Sequence, residues 1–129
     1  MTNPRNSNGS ARRALRRRVA AMRAPCWMCG LPIDYGLPAR HPDSYELDEL
    51  VPVSKGGDPL DPANVAPAHR RCNQWRSDKS VPTVERTRAA ARAMGCAWSS
   101  PSEFAAAMRG VPRSAKRDRD RASGLAAGL

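Results

Sequence analysis

The chain has 129 residues, of which 40% are hydrophobic but only 5% are aromatic, and its formal net charge is +10. This length suits one small domain with extensions, and the low aromatic content favours a core that is stabilised by a staple such as a metal ion. No apolar run is long enough to span a membrane and none follows the N-terminal arginines, so we expect neither a membrane span nor a secretory signal. In the reducing cytoplasm that this implies, paired cysteines are more typical of metal sites than of disulfides.

The charges are unevenly distributed along the chain. Residues 1–25 carry seven arginines and no acid, whereas residues 30–63 carry seven acids against Arg40 and Lys55, and the remainder is basic again. Basic arms around an acidic centre are expected if the arms bind a polyanion and the centre binds cations. Arginine also outnumbers lysine, which suits phosphate because the guanidinium group can bind two phosphate oxygens at once.

The first predicted element is a helix in "ARRALRRRVAAMRA", residues 11–24, which is rich in helix-favouring residues. Leu15, Val19 and Met22 are spaced to share one apolar face, and Pro25 ends the pattern. Two interpretations of this basic segment are open: a solvated, partly helical arm, or an arm that contacts DNA.

One strand is predicted next, in "SYELDELV" at residues 44–51, and Pro52 closes it. Glycine pairs and Asp-Pro pairs then mark a turn-forming loop over residues 54–64. "AHRRCNQWRSDK", residues 68–79, predicts a short helix. Four carboxylates crowd the strand region, and for Asp43 and Glu46 we expect a solvated strand face.

Two further helices are predicted in the C-terminal part, over residues 83–95 and 100–110. In the second, Ser100 is the expected N-cap and Glu103, three residues later, completes a capping box. The basic tail from residue 113 onward is expected to be mobile.

Two ligand pairs flank the acidic centre. Cys26 and Cys29 form C-x-x-C, while His69 and Cys72 form H-x-x-C and would share one face of a helix. Together the pairs can supply the four ligands of a tetrahedral zinc ion, which is the site that we predict. Three alternatives remain open: a redox pair of Cys26 and Cys29, an ordinary surface role for His69, or Cys96 as the fourth ligand.

Oxygen-bearing side chains lie between and directly after these pairs. Asp48, Asn64 and Asn73 are hard oxygen ligands of the type that suits Mg²⁺ or Mn²⁺. Asn73 follows Cys72 and is about 100° further around a helix, so one residue can face zinc while the next faces a second cation.

"YELDELVPVSKGGDPLDPANVAPAHRRCNQWRSDK", together with the upstream "CWMC", resembles the HNH endonucleases, especially small members encoded by phages of actinobacteria. The shared pattern is C-x-x-C, Asp-His, a loop with Pro and Gly-Gly, Asn, C-x-x-C, and finally His or Asn. The resemblance implies a small α+β fold, in which helices flank a zinc-stapled ββα-metal core of the treble-clef type. It implies three parts: a basic arm at 1–24, the core at 25–80, and a helical extension with a mobile tail at 81–129.

The resemblance also implies roles for individual residues. Asp48 and Asn73 would hold a catalytic Mg²⁺ or Mn²⁺, while Asn64 would fix the loop and orient the catalytic residue. The structural zinc would be bound by Cys26, Cys29, His69 and Cys72, with the histidine in place of the usual third cysteine. The chain departs from the pattern directly after Asp48, where the family has a histidine as general base and this sequence has Glu49.

Two functions are therefore predicted. The first is a divalent-metal-dependent endonuclease that hydrolyses DNA phosphodiester bonds with Glu49 as the base. The second, favoured by Glu49 itself, is a zinc-stapled DNA-binding module that does not cleave. By resemblance, a phage packaging role beside the terminase and a location in the bacterial host cytoplasm are expected. The predicted DNA contacts are Arg12, Arg13, Arg16, Arg17, Arg70, Arg71, Arg76 and Lys79.

Overall fold

The computed structural model of the protein describes residues 9–114, so the predictions for residues 1–8 and for the basic tail beyond residue 114 lie outside the described residues. Its elements in chain order are α1 (Gly9–Ala21), β1 (Tyr45–Glu49), β2 (Val65–His69), α2 (Arg70–Arg76), α3 (Val81–Ala93) and α4 (Pro101–Arg109). Short 3₁₀ turns at Val53–Lys55 and Pro62–Asn64 lie between the strands. The predicted small α+β class is confirmed. None of the helices within residues 9–114 is long and apolar enough to cross a membrane.

The two strands form an antiparallel sheet in which Tyr45 pairs with His69 and Glu49 pairs with Val65. Because side chains alternate along a strand, Tyr45, Leu47 and Glu49 lie on one face of β1, while Glu46 and Asp48 lie on the other. Helix α1 covers the first face, where the Arg16 guanidinium lies 4.5 Å from the centre of the Tyr45 ring. Helix α2 covers the second face through hydrogen bonds to both acids.

Helix α1 matches its predicted apolar face only in part. Leu15 and Val19 are buried, but Met22 is 65% exposed. The helix ends at Ala21, and Arg23 takes a left-handed conformation with a φ of 52°. The chain therefore turns away before Met22 can join the core, and its predicted burial was wrong.

Helix α4 begins at its expected cap, Ser100, whereas α3 begins at Val81, two residues before its predicted start. The Ser80 side chain accepts a hydrogen bond from Thr83 N at the start of α3, and the Ser100 side chain accepts one from Glu103 N at the start of α4. The predicted capping box is displaced by one residue, since the Glu103 carboxylate accepts hydrogen bonds from the amide and hydroxyl of Ser99. These hydrogen bonds also lower the pKa of Glu103.

One hydrophobic cluster connects all of these elements. Phe104 of α4 packs edge-on against Trp75 of α2 and against Trp98, with ring centres 5.7 and 5.1 Å apart. The same cluster includes Leu15 and Val19 of α1 and the residues between the first two cysteines. The helices after residue 80 therefore share their core with the hairpin and α2.

Candidate metal centre and carboxylate interface

Four donor residues converge at one end of the hairpin. Cys26, Cys29, His69 and Cys72 are all buried, and their ligand atoms lie within 4.8 Å of one another. Three thiols and one imidazole in this arrangement are suited to a metal such as zinc. The predicted ligand set is thus brought together, and Cys96, which was considered as a fourth ligand, lies outside the group.

The His69 ring is oriented as a metal ligand would be. Its Nδ1 lies 3.3 Å from Cys29 Sγ, while its Nε2 lies 2.9 Å from the carbonyl oxygen of Pro32. An Nε2–H that donates to this carbonyl leaves the Nδ1 lone pair directed at the sulfurs, which is the usual outer-shell arrangement of a metal-bound histidine. The prediction that His69 and Cys72 share a helix was wrong, because His69 ends β2 and α2 begins at Arg70.

A tight turn places the first two cysteines. Gly30 N donates to the Cys26 carbonyl at 2.9 Å, and Cys26 N donates to the Leu31 carbonyl at 3.0 Å. Leu31 N also points at Cys29 Sγ at 3.5 Å. Gly30 has a φ of 78°, in the left-handed region that glycine adopts without strain. The glycine directly after C-x-x-C was a signal for this turn that the sequence analysis did not use.

Helix α3 and the segment that joins it to α4 support the same turn. Arg88 of α3 donates to the carbonyls of Trp27 and Met28 at 3.1 and 2.8 Å, and Trp98 Nε1 donates to the Cys29 carbonyl at 2.9 Å. These bonds satisfy three backbone acceptors that would otherwise be left without partners around the cysteines. No sequence pattern indicated them, because the partners are separated by 60 or more residues.

The four donors are close enough to perturb one another's protonation. Hydrogen bonds from Cys29 and Cys72 lower the pKa of Cys26, whereas hydrogen bonds with Cys26 and Cys29 raise the pKa of Cys72. Burial acts against it, but hydrogen bonds with Cys26 and Cys29 raise the pKa of His69 to about 10. Ionisation of one thiol thus disfavours ionisation of a second. Three thiolates beside a neutral imidazole therefore need a compensating positive charge. A divalent cation supplies that charge, and the donor set fits zinc.

Asp48 lies on the face of β1 that α2 covers, and it is 8% exposed. Its Oδ2 accepts hydrogen bonds from Arg76 Nη1 at 2.7 Å and from Trp27 Nε1 at 3.0 Å. Burial raises the pKa of Asp48 even though Arg76 and Trp27 act to lower it. Arg76 is 2% exposed. Its guanidinium also donates to three carbonyls, those of Glu49, Leu50 and Lys79.

Two more acids contact α2. Asn73 Nδ2 donates to Glu46 Oε1 at 2.9 Å, and Arg71 Nε donates to Asp43 Oδ1 at 3.0 Å. The expected solvated face was therefore wrong for both acids, because α2 packs across β1 and brings polar side chains to each of them. Asp48 and Asn73, the predicted cation ligands, lie at the same interface but have different hydrogen-bond partners.

Glu49 occupies the opposite face of β1. It is buried, and its Oε1 lies 3.5 Å from Arg12 Nη2. Arg12 also donates to the carbonyls of Pro59 and Leu47, at 2.7 and 3.2 Å. The two adjacent carboxylates that were predicted to serve one reaction thus project to different sides of the sheet, and each has an arginine beside it.

Asn64 closes the other end of the hairpin. Its Oδ1 accepts from Val51 N at 2.9 Å, and its Nδ2 donates to the carbonyls of Val51 at 2.9 Å and Asp58 at 3.1 Å. A Cβ added to Gly57 would lie 1.7 Å from the Val51 carbonyl oxygen, so only glycine fits there. We call Asn64, Val51, Asp58 and Gly57 the Asn64 clamp. It fixes the loop, which is the structural part of the role that the resemblance implied.

The predicted DNA contacts differ in their accessibility. Arg13, Arg16 and Arg17 are exposed on α1, and Arg16 also donates to the Tyr45 carbonyl. The half-buried members are Arg12, Arg70, Arg71 and Lys79. Arg76 is buried and committed to Asp48 and the loop, so its guanidinium has no surface to offer a phosphate.

Comparisons of the chain with protein-family models, with curated proteins and with solved structures gave no match. The resemblance to HNH endonucleases therefore stays a prediction from the sequence motifs.

Proposed function

We propose that the protein is a divalent-metal-dependent endonuclease that hydrolyses DNA phosphodiester bonds, with a structural zinc at the four buried donors. The observation that carries this proposal is the interface between β1 and α2, where Asn73 donates to Glu46 and the neighbouring acid Asp48 lies on the same face of the strand. Within residues 9–114, the side-chain hydrogen bonds of these residues use one oxygen of each carboxylate and the nitrogen of the amide. A second set of oxygens is left for a ligand.

These oxygens are of the type that Mg²⁺ and Mn²⁺ bind, commonly through one or two carboxylates together with water. Asp48 and Asn73 would hold the cation, and Glu46 is an additional carboxylate beside Asn73. A cation bound there would stabilise the negative charge that develops on a phosphate during hydrolysis. Arg76 works against its binding, since a guanidinium already lies 2.7 Å from Asp48. We therefore expect a weak cation site and low activity.

The chain's own residues would perform the remaining tasks. The exposed arginines Arg13 and Arg17 on α1 would bind backbone phosphates without reading sequence. Glu49 stands where the family pattern has its base and would accept a proton from the attacking water. Since Glu49 and Asp48 project to opposite faces of β1, that role requires the backbone at the end of the strand to rearrange, not only the Glu49 side chain to rotate.

A second candidate function is a zinc-stapled module that binds DNA without cleaving it. One specific observation favours it: each of the two carboxylates that hydrolysis would use is next to an arginine. Arg76 in particular supplies a fixed positive charge at the place where an endonuclease would bind its cation.

Incubation of supercoiled plasmid with the protein and Mg²⁺, Mn²⁺ or a chelator that spares the zinc tests the first proposal. Nicking should require the cation and should be lost in Asp48→Asn and Asn73→Ala. Asp43→Asn is the matched control, because Asp43 pairs with Arg71 and is not a predicted ligand. All variants should keep their zinc.

Variants at Glu49 separate the two candidates. A positioned base typically contributes about 10²- to 10⁴-fold in rate, so Glu49→Ala should be slower and Glu49→His should be as fast or faster. If Glu49→Ala nicks like the parent, Glu49 is not the base. If the parent and Glu49→His bind DNA but cleave none with any cation, the binding module is correct. If the parent neither binds nor cleaves DNA, both candidates are wrong.

A further inference from the structure

Val51 combines an exposed apolar side chain with a backbone that is held in place. The side chain is 46% exposed, yet Asn64 binds both the amide and the carbonyl of Val51 at 2.9 Å. Gly57 closes on the same carbonyl so tightly that no Cβ fits. Because the Val51 backbone is already ordered, this protein loses little conformational entropy when a partner covers Val51. The Asn64 clamp therefore presents this side chain to a partner in a fixed position.

A cavity of about 150 Å³ adjoins Val51. Its apolar walls are formed by Leu50, Pro52, Val81 and Pro82. The exposed methyl groups of Val51 thus continue into an apolar recess between the loop and the start of α3. We call Val51 and this recess the Val51 edge.

Two lysines lie around the recess. Lys55 and Lys79 line it together with one acid, Asp78, while Arg76 also lines it but is committed to Asp48 and the loop. Lys55 Nζ donates to the Asp78 carbonyl at 3.2 Å, which places the lysine at the rim. An apolar surface with lysines around it complements a polyanion that exposes an apolar group between two phosphates. The apolar walls match the apolar group, and the lysines match the phosphates.

Nucleic acid has this character where stacking is broken. In a stacked duplex the faces of the bases are covered, but an unstacked base presents an apolar face flanked by two phosphates. Unstacking a base costs a few kcal/mol, and the cost is lowest where the base is already unpaired. The Val51 edge has apolar walls for such a base and cations for the flanking phosphates.

We infer that the Val51 edge recognises duplex DNA containing a locally unstacked base, with Val51 against the base face and Lys55 beside a flanking phosphate. This inference rests on the DNA binding that both candidate functions share. Arg76 both lines the recess and binds Asp48, so DNA held at the Val51 edge lies one side chain away from the candidate cation ligand. The substrate class would then be mismatched, bulged or otherwise distorted duplex.

The test compares the affinities for a fully paired duplex and for the same duplex with one unpaired base, measured by fluorescence anisotropy over a series of salt concentrations. The parent protein should prefer the distorted duplex by about tenfold, which corresponds to about 1.4 kcal/mol. Val51→Ala should lose most of that preference without changing the slope of log affinity against log salt, because it removes no phosphate contact. Lys55→Met should reduce that slope by about 0.9.

Met94→Ala is the matched control, because Met94 is similarly exposed at 52% but does not line the recess. It should keep the full preference. Val51→Ala should unfold at the parent's temperature, since its side chain is not in the core.

Three results would overturn the inference. The parent could bind both duplexes equally, Val51→Ala could keep the preference, or Val51→Ala could instead convert a self-associated protein to a monomer in sedimentation. In each case DNA binding by the parent would still leave the proposed function intact. A parent that binds neither duplex would contradict the proposed function as well.

Discussion

The two ends of the β1–β2 hairpin are closed by different chemistry. At the end where Tyr45 pairs with His69, the chain provides three thiols and an imidazole that need a cation before they can all act as ligands. At the other end, beyond the Glu49–Val65 pair, Asn64 closes the loop through neutral hydrogen bonds to Val51 and Asp58. With zinc at the four donors, the first closure would depend on metal supply and pH, whereas the second is intrinsic to the chain.

The difference shows how a chain that is only 5% aromatic can hold one hairpin in place. The metal end lies among buried core residues, and failure there would release β2, α2 and the turn that carries the first cysteines. The clamp end lies at the surface, and failure there would free a single loop. Arg76 connects the two, since it reaches from α2 to Asp48 on β1 and to the carbonyls of Glu49 and Leu50 at the start of that loop.

The largest effect is expected at the metal end. Cys72→Ser, or removal of zinc by a strong chelator, should unfold the hairpin and α2, because apparent metal-binding energies of about 10–16 kcal/mol contribute directly to folding in such sites. Circular dichroism and metal analysis measure this. Cys96→Ser should behave like the parent, since Cys96 lies outside the ligand group. Purified protein without zinc, or an unchanged spectrum after metal removal, would contradict the assignment.

A smaller but substantial loss is expected at the connection between the ends. Arg76→Met should lower the free energy of unfolding by about 3–5 kcal/mol, because it leaves the buried Asp48 carboxylate without its charged partner. Urea unfolding measures the change. The double variant Asp48→Asn/Arg76→Met should recover part of it, whereas Arg12→Met should cost less, because the Arg12 side chain is 19% exposed against 3% for Arg76 and lies 3.5 Å rather than 2.7 Å from its carboxylate. Equal losses for the two arginines would show that burial of the pair at Asp48 is unimportant.

At the clamp end the effect should be local. Asn64→Ala removes the partner of both backbone groups of Val51 and should cost about 1 kcal/mol while zinc content stays unchanged. Hydrogen exchange of the Val51 amide should become faster, with little change at Leu47 in the middle of β1. Asn64→Asp keeps the acceptor for Val51 N but places a carboxylate oxygen against the carbonyl oxygens of Val51 and Asp58, so it should cost at least as much as Asn64→Ala. Global unfolding of Asn64→Ala would mean that the two ends are not independent.

The smallest effect concerns the titration of Asp48. Burial raises its pKa above the ordinary value of 3.8. Its contribution to stability is therefore greatest below pH 3.8 and is lost as pH rises through the raised pKa. The stability of the parent relative to Asp48→Asn should fall across that window. Urea unfolding of both proteins at matched pH measures the difference between their free energies of unfolding. Acid loss of zinc affects both proteins and cancels in this difference. If the stability of the parent relative to Asp48→Asn rises with pH, the raised pKa of Asp48 is contradicted.

What the sequence predicted well was local chemistry. The ligand spacing identified Cys26, Cys29, His69 and Cys72, and Ser100 identified the start of the last helix. Strand β2, "VAPAH", was not placed, because Pro67 and a run of small residues give no alternating pattern. It is a strand because it pairs with β1 along its whole length and ends at His69, a member of the four-donor group.

The partners of the acids could not be predicted because they are distant in sequence. Asp48 and Arg76 are 28 residues apart, and Glu46 and Asn73 are 27 apart. Only the packing angle of α2 across β1 decides which pairs meet. The same packing, rather than composition, accounts for the crowded carboxylates of β1: each of them meets a polar side chain on a neighbouring helix.

The three tryptophans occupy chemically distinct positions, which makes them separate spectroscopic reporters. The Trp27 indole N–H donates to Asp48, the Trp98 indole N–H donates to the Cys29 carbonyl, and the Trp75 ring packs against Phe104. In a nitrogen–proton correlation spectrum, the Trp27 signal should shift when a cation is added and the Trp98 signal when zinc is withdrawn. A cation that binds at Asp48 should therefore shift the Trp27 signal alone, whereas zinc withdrawal, which should unfold the hairpin, should change the Trp27 signal as well.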